Sequence, residues 1–191
     1  PLLPLHSVGV FSFNILTGEN MLITAEQFQN TETNKAIVER KNKNPYGGSP
    51  LESFHSLSSK AKGKFFEQLV EEVAKSNGAT VSRGGSSDYD RMIDGQRIEI
   101  KGSFLWGEGT HFRWQQLRTA QNYDKVIFVA AYPDRIEFFE ADKATVKKNV
   151  EVQDSRGHWT YNQHGGKKVN SGTFCIDGFP EDFHWMKKVQ F

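Results

Sequence analysis

The stretch Tyr89–Ser103 reads YDRMIDGQRIEIKGS. At its centre stands Asp94-Gly95, which suits a two-residue hairpin turn because both central residues must take positive φ. The flanks alternate. Met92 and Asp94 point one way, Arg91 and Ile93 the other; beyond the turn Ile98 and Ile100 share one face, and Arg97, Glu99 and Lys101 the opposite one. The two isoleucines read as core-facing. Glu99 and Lys101 then stand side by side on the other face, with Asp90 on the neighbouring strand. Acidic residues are depleted in strands, so two carboxylates and an amine gathered here need a physical reason.

Two reasons compete. One is a half-exposed hairpin whose outer face is solvated and carries weak surface ion pairs. The other is a divalent-cation site. Two hard carboxylate oxygens, with the backbone carbonyl of Ile100 between Glu99 and Lys101, suit Mg²⁺. A lysine beside such a cation can orient a water and stabilise charge developing on a phosphoryl group. What surrounds the hairpin decides between them.

The chain has 191 residues, enough for one domain, or one domain with an appendage, and a sizeable core. A formal net charge of +1 excludes a strongly basic chromatin-type protein and an acidic tail protein. The single cysteine, Cys175, excludes an internal disulfide framework and points to a reducing compartment. No apolar run approaches membrane-spanning length, and PLLPLHSVGVFSF lacks the basic region of a signal peptide. The expectation is a cytoplasmic protein with no membrane partner and no nucleotide cofactor.

Along the chain, Phe11, Phe13 and Ile15 alternate before a turn and a returning MLIT segment, a small hairpin. Thr24 and Gln27 fit a capping box opening a helix to about Val38. Lys41 to Pro50 reads as a basic, turn-rich loop; a solvated loop is the plain reading, and phosphate contacts from Lys41 and Lys43 the functional one. A long helix is expected from about Ser58 to Ser76, with Gly78 as a left-handed cap and Phe65, Phe66, Leu69, Val70 and Val73 as its apolar stripe. Glu67 borders that stripe. ATVSRG is a short strand, HFRWQQLRTAQNY a helix, KVIFVAAY a doubly covered strand and RIEFFEA its alternating neighbour. Lys143 to Val150 is a short basic helix or turn, and the tail two short strands around a polar, glycine-rich loop. The order predicts an α/β fold: a mixed central β-sheet flanked by helices.

These pieces resemble the PD-(D/E)XK nuclease superfamily, the fold of most type II restriction endonucleases. The matching segments are KGKFFEQLVEEVAKSNGATV, YDRMIDG and RIEIKGS, continued by FRWQQLR and KVIFVAAYPD; the likeness spans roughly Ala61 to Phe139. No proline precedes the acidic residue, which is Asp90 after Tyr89. Asp88 and Asp94 are rival acidic positions, but Asp94 belongs to the turn and Asp88 precedes the strand. The resemblance implies a restriction-endonuclease-like core at 57–142, with an N-terminal arm at 1–56 and a C-terminal extension at 143–191. It implies that Asp90 and Glu99 hold Mg²⁺ (or Mn²⁺) with the Ile100 carbonyl. Lys101 would position the attacking water, and Glu67 would bind a metal water or a second ion. Gln115 or Gln116 would help fix this shell; solvent-facing glutamines are the plain alternative.

The activity so implied is Mg²⁺-dependent, sequence-specific hydrolysis of double-stranded DNA by a homodimer, leaving 5′-phosphates. A homing or structure-specific nuclease and a non-catalytic DNA-binding module are the alternatives. In the tail, Asn162, Gln163, His164, Lys167, Lys168 and Asn170 surround two glycines. Such side chains read base edges and grip phosphates, while a surface hairpin loop is the plain reading. His158 and His164 lack the cysteine or histidine pairs of a structural zinc site. Trp106, Trp114 and Trp159 read as core packing, with base stacking the lesser alternative.

Overall fold

A computed structural model describes residues 12–14, 20–22, 25–42, 44–106, 109–163 and 172–189. They fall in two compact units, Pro1–Gly47 and Gly48–Phe191. In the first, β1 (Ser12–Asn14) pairs antiparallel with β2 (Asn20–Leu22), as the alternation predicts. The single helix expected up to Val38 is instead two, α1 (Ala25–Gln29) and α2 (Glu32–Asn42). The break has a local cause. The Thr31 hydroxyl accepts from the Asn34 N–H at 3.1 Å and opens the second helix, while Asn30 closes the first through Glu26 and Gln27 carbonyls. Lys41 therefore sits in the last turn of α2 rather than in a loop.

The second unit is built around one long strand that opens as the second arm of a short hairpin. Short α3 (Glu52–His55) precedes α4 (Ser59–Ser76), whose N-cap Ser58 accepts from the Ala61 N–H. Phe66, Val70 and Ala74, four apart, are its buried positions. Gly78, at φ +86°, takes the left-handed conformation that ends the helix. Then come β3 (Val81–Arg83), β4 (Arg91–Ile93) and the eleven-residue β5 (Gln96–Trp106). Asp94 and Gly95 both have positive φ, 48° and 79°, so the turn is the one the dipeptide predicts.

The chain continues with β6 (His111–Leu117), β7 (Lys125–Ala131), β8 (Ile136–Asp142), α5 (Lys143–Val150), β9 (Phe174–Gly178) and β10 (Lys187–Val189). The sheet order is β10-β8-β7-β5-β4-β3; among the described residues only β5 and β7 pair in parallel, and β6 branches from β5 to pair with β9. A mixed sheet flanked by helices is thus the fold. Residues after 142 belong to the same unit: α5, β9 and β10 all join it. Among the described residues, no helix is long and apolar enough to cross a membrane.

Two expectations fail here. The helix at 111–123 is the strand β6 followed by a loop. Phe112 and Trp114 alternate into the core, and a bulge at Gln116 (φ 58°) turns Leu117 inward as well. That extra residue breaks the period of two and makes the spacing look helical. The tail's first strand is only a pair of isolated bridges, Gln153–Trp159 and Asn162–Phe174; β9 is its full strand.

Strand β5 has apolar layers on both faces. Toward α4 it presents Ile98, Ile100, Gly102 and Phe104; Phe104 meets Phe66 at 5.1 Å between ring centroids. Gly102 lets the Phe66 ring of α4 pack directly on the strand: a Cβ there would fall 2.0 Å from that ring. The opposite face carries a larger core including Trp114, Val126, Phe128, Val146 and Ile176. Gly102→Ala should therefore destabilise the protein by roughly 1–3 kcal/mol in urea unfolding, through overpacking. Adding Phe66→Leu should recover part of that loss; full additivity of the two changes would show that the two residues do not meet.

Candidate active site

The turn at Asp94-Gly95 sets the register, and the register gathers the site. Arg91 lies opposite Ile98, and the Asp90 N–H donates to the Ile98 carbonyl at 2.9 Å, which brings Asp90 across from Glu99. The Asp90 carboxylate accepts from the Ile100 N–H at 2.8 Å. Lys101 Nζ donates to Glu99 Oε1 at 2.5 Å. Asp90, Glu99 and Lys101 thus share one face of the hairpin, as the alternation predicts. Because a strand residue turns its N–H and C=O to the same edge, the Ile100 carbonyl also points to the Asp90 side.

That face is not the solvated one the plain reading supposes. Glu99, Lys101 and Ser103 pair with Val126, Phe128 and Ala130 of β7, which belong to the larger core. Glu99 is 6% exposed. Burial pushes its carboxyl up to about 7; the Asp90 charge acts in the same direction, and Lys101 and Arg118 oppose it. The next loop is clamped alongside. Arg97 donates to both Asp124 oxygens, which holds that carboxyl down at about 2, and the clamp fixes buried Tyr123 beside β5.

Glu67 belongs to the other face. Arg91, paired with Ile98, turns toward α4 and is 8% exposed. Its Nη1 donates to Glu67 Oε2 at 3.0 Å and to the Asp90 carbonyl at 2.8 Å, and its Nε donates to Glu71 Oε2 at 2.8 Å. Glu67 therefore reaches Asp90 through a guanidinium and the backbone, not carboxylate to carboxylate. Arg91 and Glu71 were not singled out from the sequence. The signal was present: an arginine on the core-facing phase of a strand, and glutamates at i, i+4 on the helix above it.

Among the described residues, no three His, Cys, Asp or Glu side chains gather closely enough to hold a metal ion. A cation at this hairpin would draw on Asp90, Glu99 and the Ile100 carbonyl, an all-oxygen set that fits Mg²⁺, which keeps several of its waters. Of the rival acids, Asp94 caps the turn by accepting from the Thr80 N–H, and Asp88 lies in the loop before β4, its N–H donating to Ser86. Gln115 and Gln116, on β6 rather than a helix, are tied to the tail. The Gln116 N–H donates to Gln163 Oε1 at 2.6 Å, and Gln163 Nε2 to Gln115 Oε1 at 3.4 Å. Asn162 bridges to Phe174. His164, Lys167, Lys168, Asn170, Lys43 and the Lys41 side chain lie outside the described residues.

Two outcomes follow from these contacts. Arg91→Ala leaves Glu67 and Glu71 facing each other without their shared cation and should cost about 2–3 kcal/mol in chemical denaturation; Glu67→Gln, which keeps a hydrogen-bonding partner, should cost less. The second concerns pH. Glu99 has a folded-state pKa above its ordinary value, so its stabilisation is complete below about 4.5 and is lost as pH rises through about 7. Metal-free protein should lose up to roughly 3 kcal/mol between pH 5 and 8 from this group, and Glu99→Gln should flatten that part of the profile in thermal melts. A wild-type profile indistinguishable from that of Glu99→Gln would remove the assignment.

No family model matches the chain, and no curated protein matches it. Among solved structures it is similar to a bacterial homing endonuclease, I-Ssp6803I, with a TM-score of 0.44 and 16% identity, over 68% of this chain and 86% of that one.

Proposed function

We propose that the chain is a divalent-metal-dependent DNA endonuclease of the PD-(D/E)XK type, cutting double-stranded DNA sequence-specifically as a homodimer and leaving 5′-phosphates. One observation carries the reading. Glu99 is held almost fully buried between Asp90 and Lys101, at a free-energy cost that its lysine partner does not remove. Packing gives no reason for a carboxylate there, whereas a perturbed acid beside a second acid and an amine is a common arrangement at catalytic sites.

Asp90 and Glu99, with the Ile100 carbonyl, are the proposed ligands of Mg²⁺ or Mn²⁺. When bound, the ion would lower the pKa of a water and neutralise phosphate charge. The Lys101 ammonium, leaning on Glu99, orients the attacking water and meets negative charge as it develops on the phosphate. Glu67 acts through Arg91, fixing the Asp90 backbone. Gln115 and Gln116 hold Gln163 at the root of the tail loop. There Asn162, Gln163, His164 and Asn170 are the proposed base readers, and Lys167 and Lys168, with Lys41 and Lys43, the proposed phosphate contacts.

Plasmid incubated with the pure protein should be cut in Mg²⁺ and spared in EDTA. Asp90→Ala, Glu99→Gln and Lys101→Ala should each lower the rate by about 100-fold or more while the protein stays folded. Glu67→Ala should cost less, about 10-fold to 100-fold, as expected of a group that acts through another. Normal cutting by Asp90→Ala would remove the site assignment. Wild-type protein that binds DNA but never cuts it, in either metal, would leave a DNA-binding module in its place.

A further inference from the structure

Beside the candidate site, a groove of about 690 Å³ runs between α4 and the loop joining β3 to β4. Five cationic side chains and four carboxylates line it, and burial sorts them. Glu67, Glu71 and Asp90 are half-buried and Arg91 is buried, so these three acids lie on the inner side, tied to the guanidinium, while Glu72 is exposed and the exposed Lys75 pairs with Glu71. Lys60, Lys64 and Arg83 are exposed at the rim, and no ion pair to any of the three is present among the described residues. Lys60 and Lys64 are four apart and so sit one turn above the other on α4. Arg83 ends β3 on the opposite wall.

The loop that forms that wall is stiff. The Gly84 N–H donates to the Asp90 carbonyl, the Gly85 N–H to the Tyr89 hydroxyl, and Gln121 Nε2 to the Ser87 carbonyl. A Cβ on Gly84 would fall 2.2 Å from the Tyr89 carbonyl oxygen, so the close approach that shapes the wall requires glycine. On the helix wall, a Cβ at Gly63 would meet nothing within 4 Å, which leaves the space between Lys60 and Lys64 open. The result is a trough with Lys60, Lys64 and Arg83 along its rim and Asp90 at its inner end.

We infer that this groove seats the backbone of duplex DNA, with Lys60, Lys64 and Arg83 each neutralising a phosphate of the strand that leads to Asp90. The inference rests on the nuclease reading for the direction of that strand. Its chemistry is independent: two ammonium groups one helical turn apart, with a guanidinium on the facing wall, suit a repeating, singly charged phosphodiester. The contacts are to backbone, so they position the duplex and read no sequence.

The test is equilibrium binding of a fluorescent duplex of mixed sequence, in Ca²⁺ to suppress cutting, over a salt series. The triple variant Lys60→Ala, Lys64→Ala and Arg83→Ala should bind about 10-fold or more weakly, and the slope of log affinity against log salt should fall by about two to three, near 0.9 per lost phosphate contact. Its melting temperature should be unchanged, because all three side chains are exposed. Lys60→Arg with Lys64→Arg should keep wild-type binding, and so should Lys147→Ala with Lys148→Ala on α5. An unchanged slope in the triple variant overturns the groove assignment, even where wild-type protein cuts plasmid and the nuclease reading stands. A reduced slope in a protein that never cuts supports the groove and removes the nuclease reading. Wild-type protein that binds only an RNA duplex, or no nucleic acid, overturns the groove as well.

Discussion

Strand β5 runs between two apolar layers, and this makes every charge on or beside it costly unless it is matched. Each of the ionisable side chains there is paired, within the strand or with a neighbouring element. Arg97 is forked onto Asp124, Lys101 onto Glu99, and Arg91, from the adjoining strand, onto Glu67 and Glu71. The first and last of these pairs join elements far apart in sequence, so they also hold the loop before β7 and helix α4 to the hairpin. Buried ion pairs add little net stability over apolar replacements, but they penalise any arrangement that separates them. They specify position more than they add stability.

Glu99 is the member of this set whose charged form burial disfavours most. Its carboxyl sits deeper than its lysine partner can compensate, and the nearby Asp90 charge worsens its position. An arrangement selected for stability alone would place an apolar residue there. The same geometry gives two carboxylates, a carbonyl and an ammonium within one hairpin, Asp90 directed by the Ile100 N–H and Lys101 by Glu99. Rigid support of this kind is what hydrolysis of a phosphodiester demands, because its catalysis comes mainly from positioning and charge. On the helix side, the Arg91 clamp draws Glu67 and Glu71 inward and leaves Lys60 and Lys64 at the rim, so the groove and the proposed catalytic face meet at Asp90.

Much of this was legible from short-range pattern. The Asp94-Gly95 turn, the helix from about Ser58 to Ser76, the left-handed glycine at 78, the apolar run of β7 and the alternation of β8 each rest on local backbone or solvent preference. The common face of Asp90, Glu99 and Lys101 followed from the strand period alone. The errors also have local causes. A bulge at Gln116 disguised β6 as a helix, and side-chain bonding at Thr31 split the first helix in two. In both places one residue departs from the period that the neighbours obey.

What the sequence determined by itself was therefore the hairpin, its register and the set of groups on each of its faces, because these depend on turn chemistry and on the two-residue period of a strand. What only the tertiary structure decided was which face is dry. The alternation marks Glu99 and Lys101 as facing away from the isoleucines, and a reader of the sequence would give them to water. The second layer, built from β6, β9 and α5 a dozen to some eighty residues further along the chain, covers that side with Trp114, Ile176 and Val146. Burial is set by which distant segments pack there, and the ionisation of a carboxylate is set by burial. The raised carboxyl of Glu99 descends from that packing, and the role of Arg91 from the packing of α4 on the other face; local pattern encodes neither.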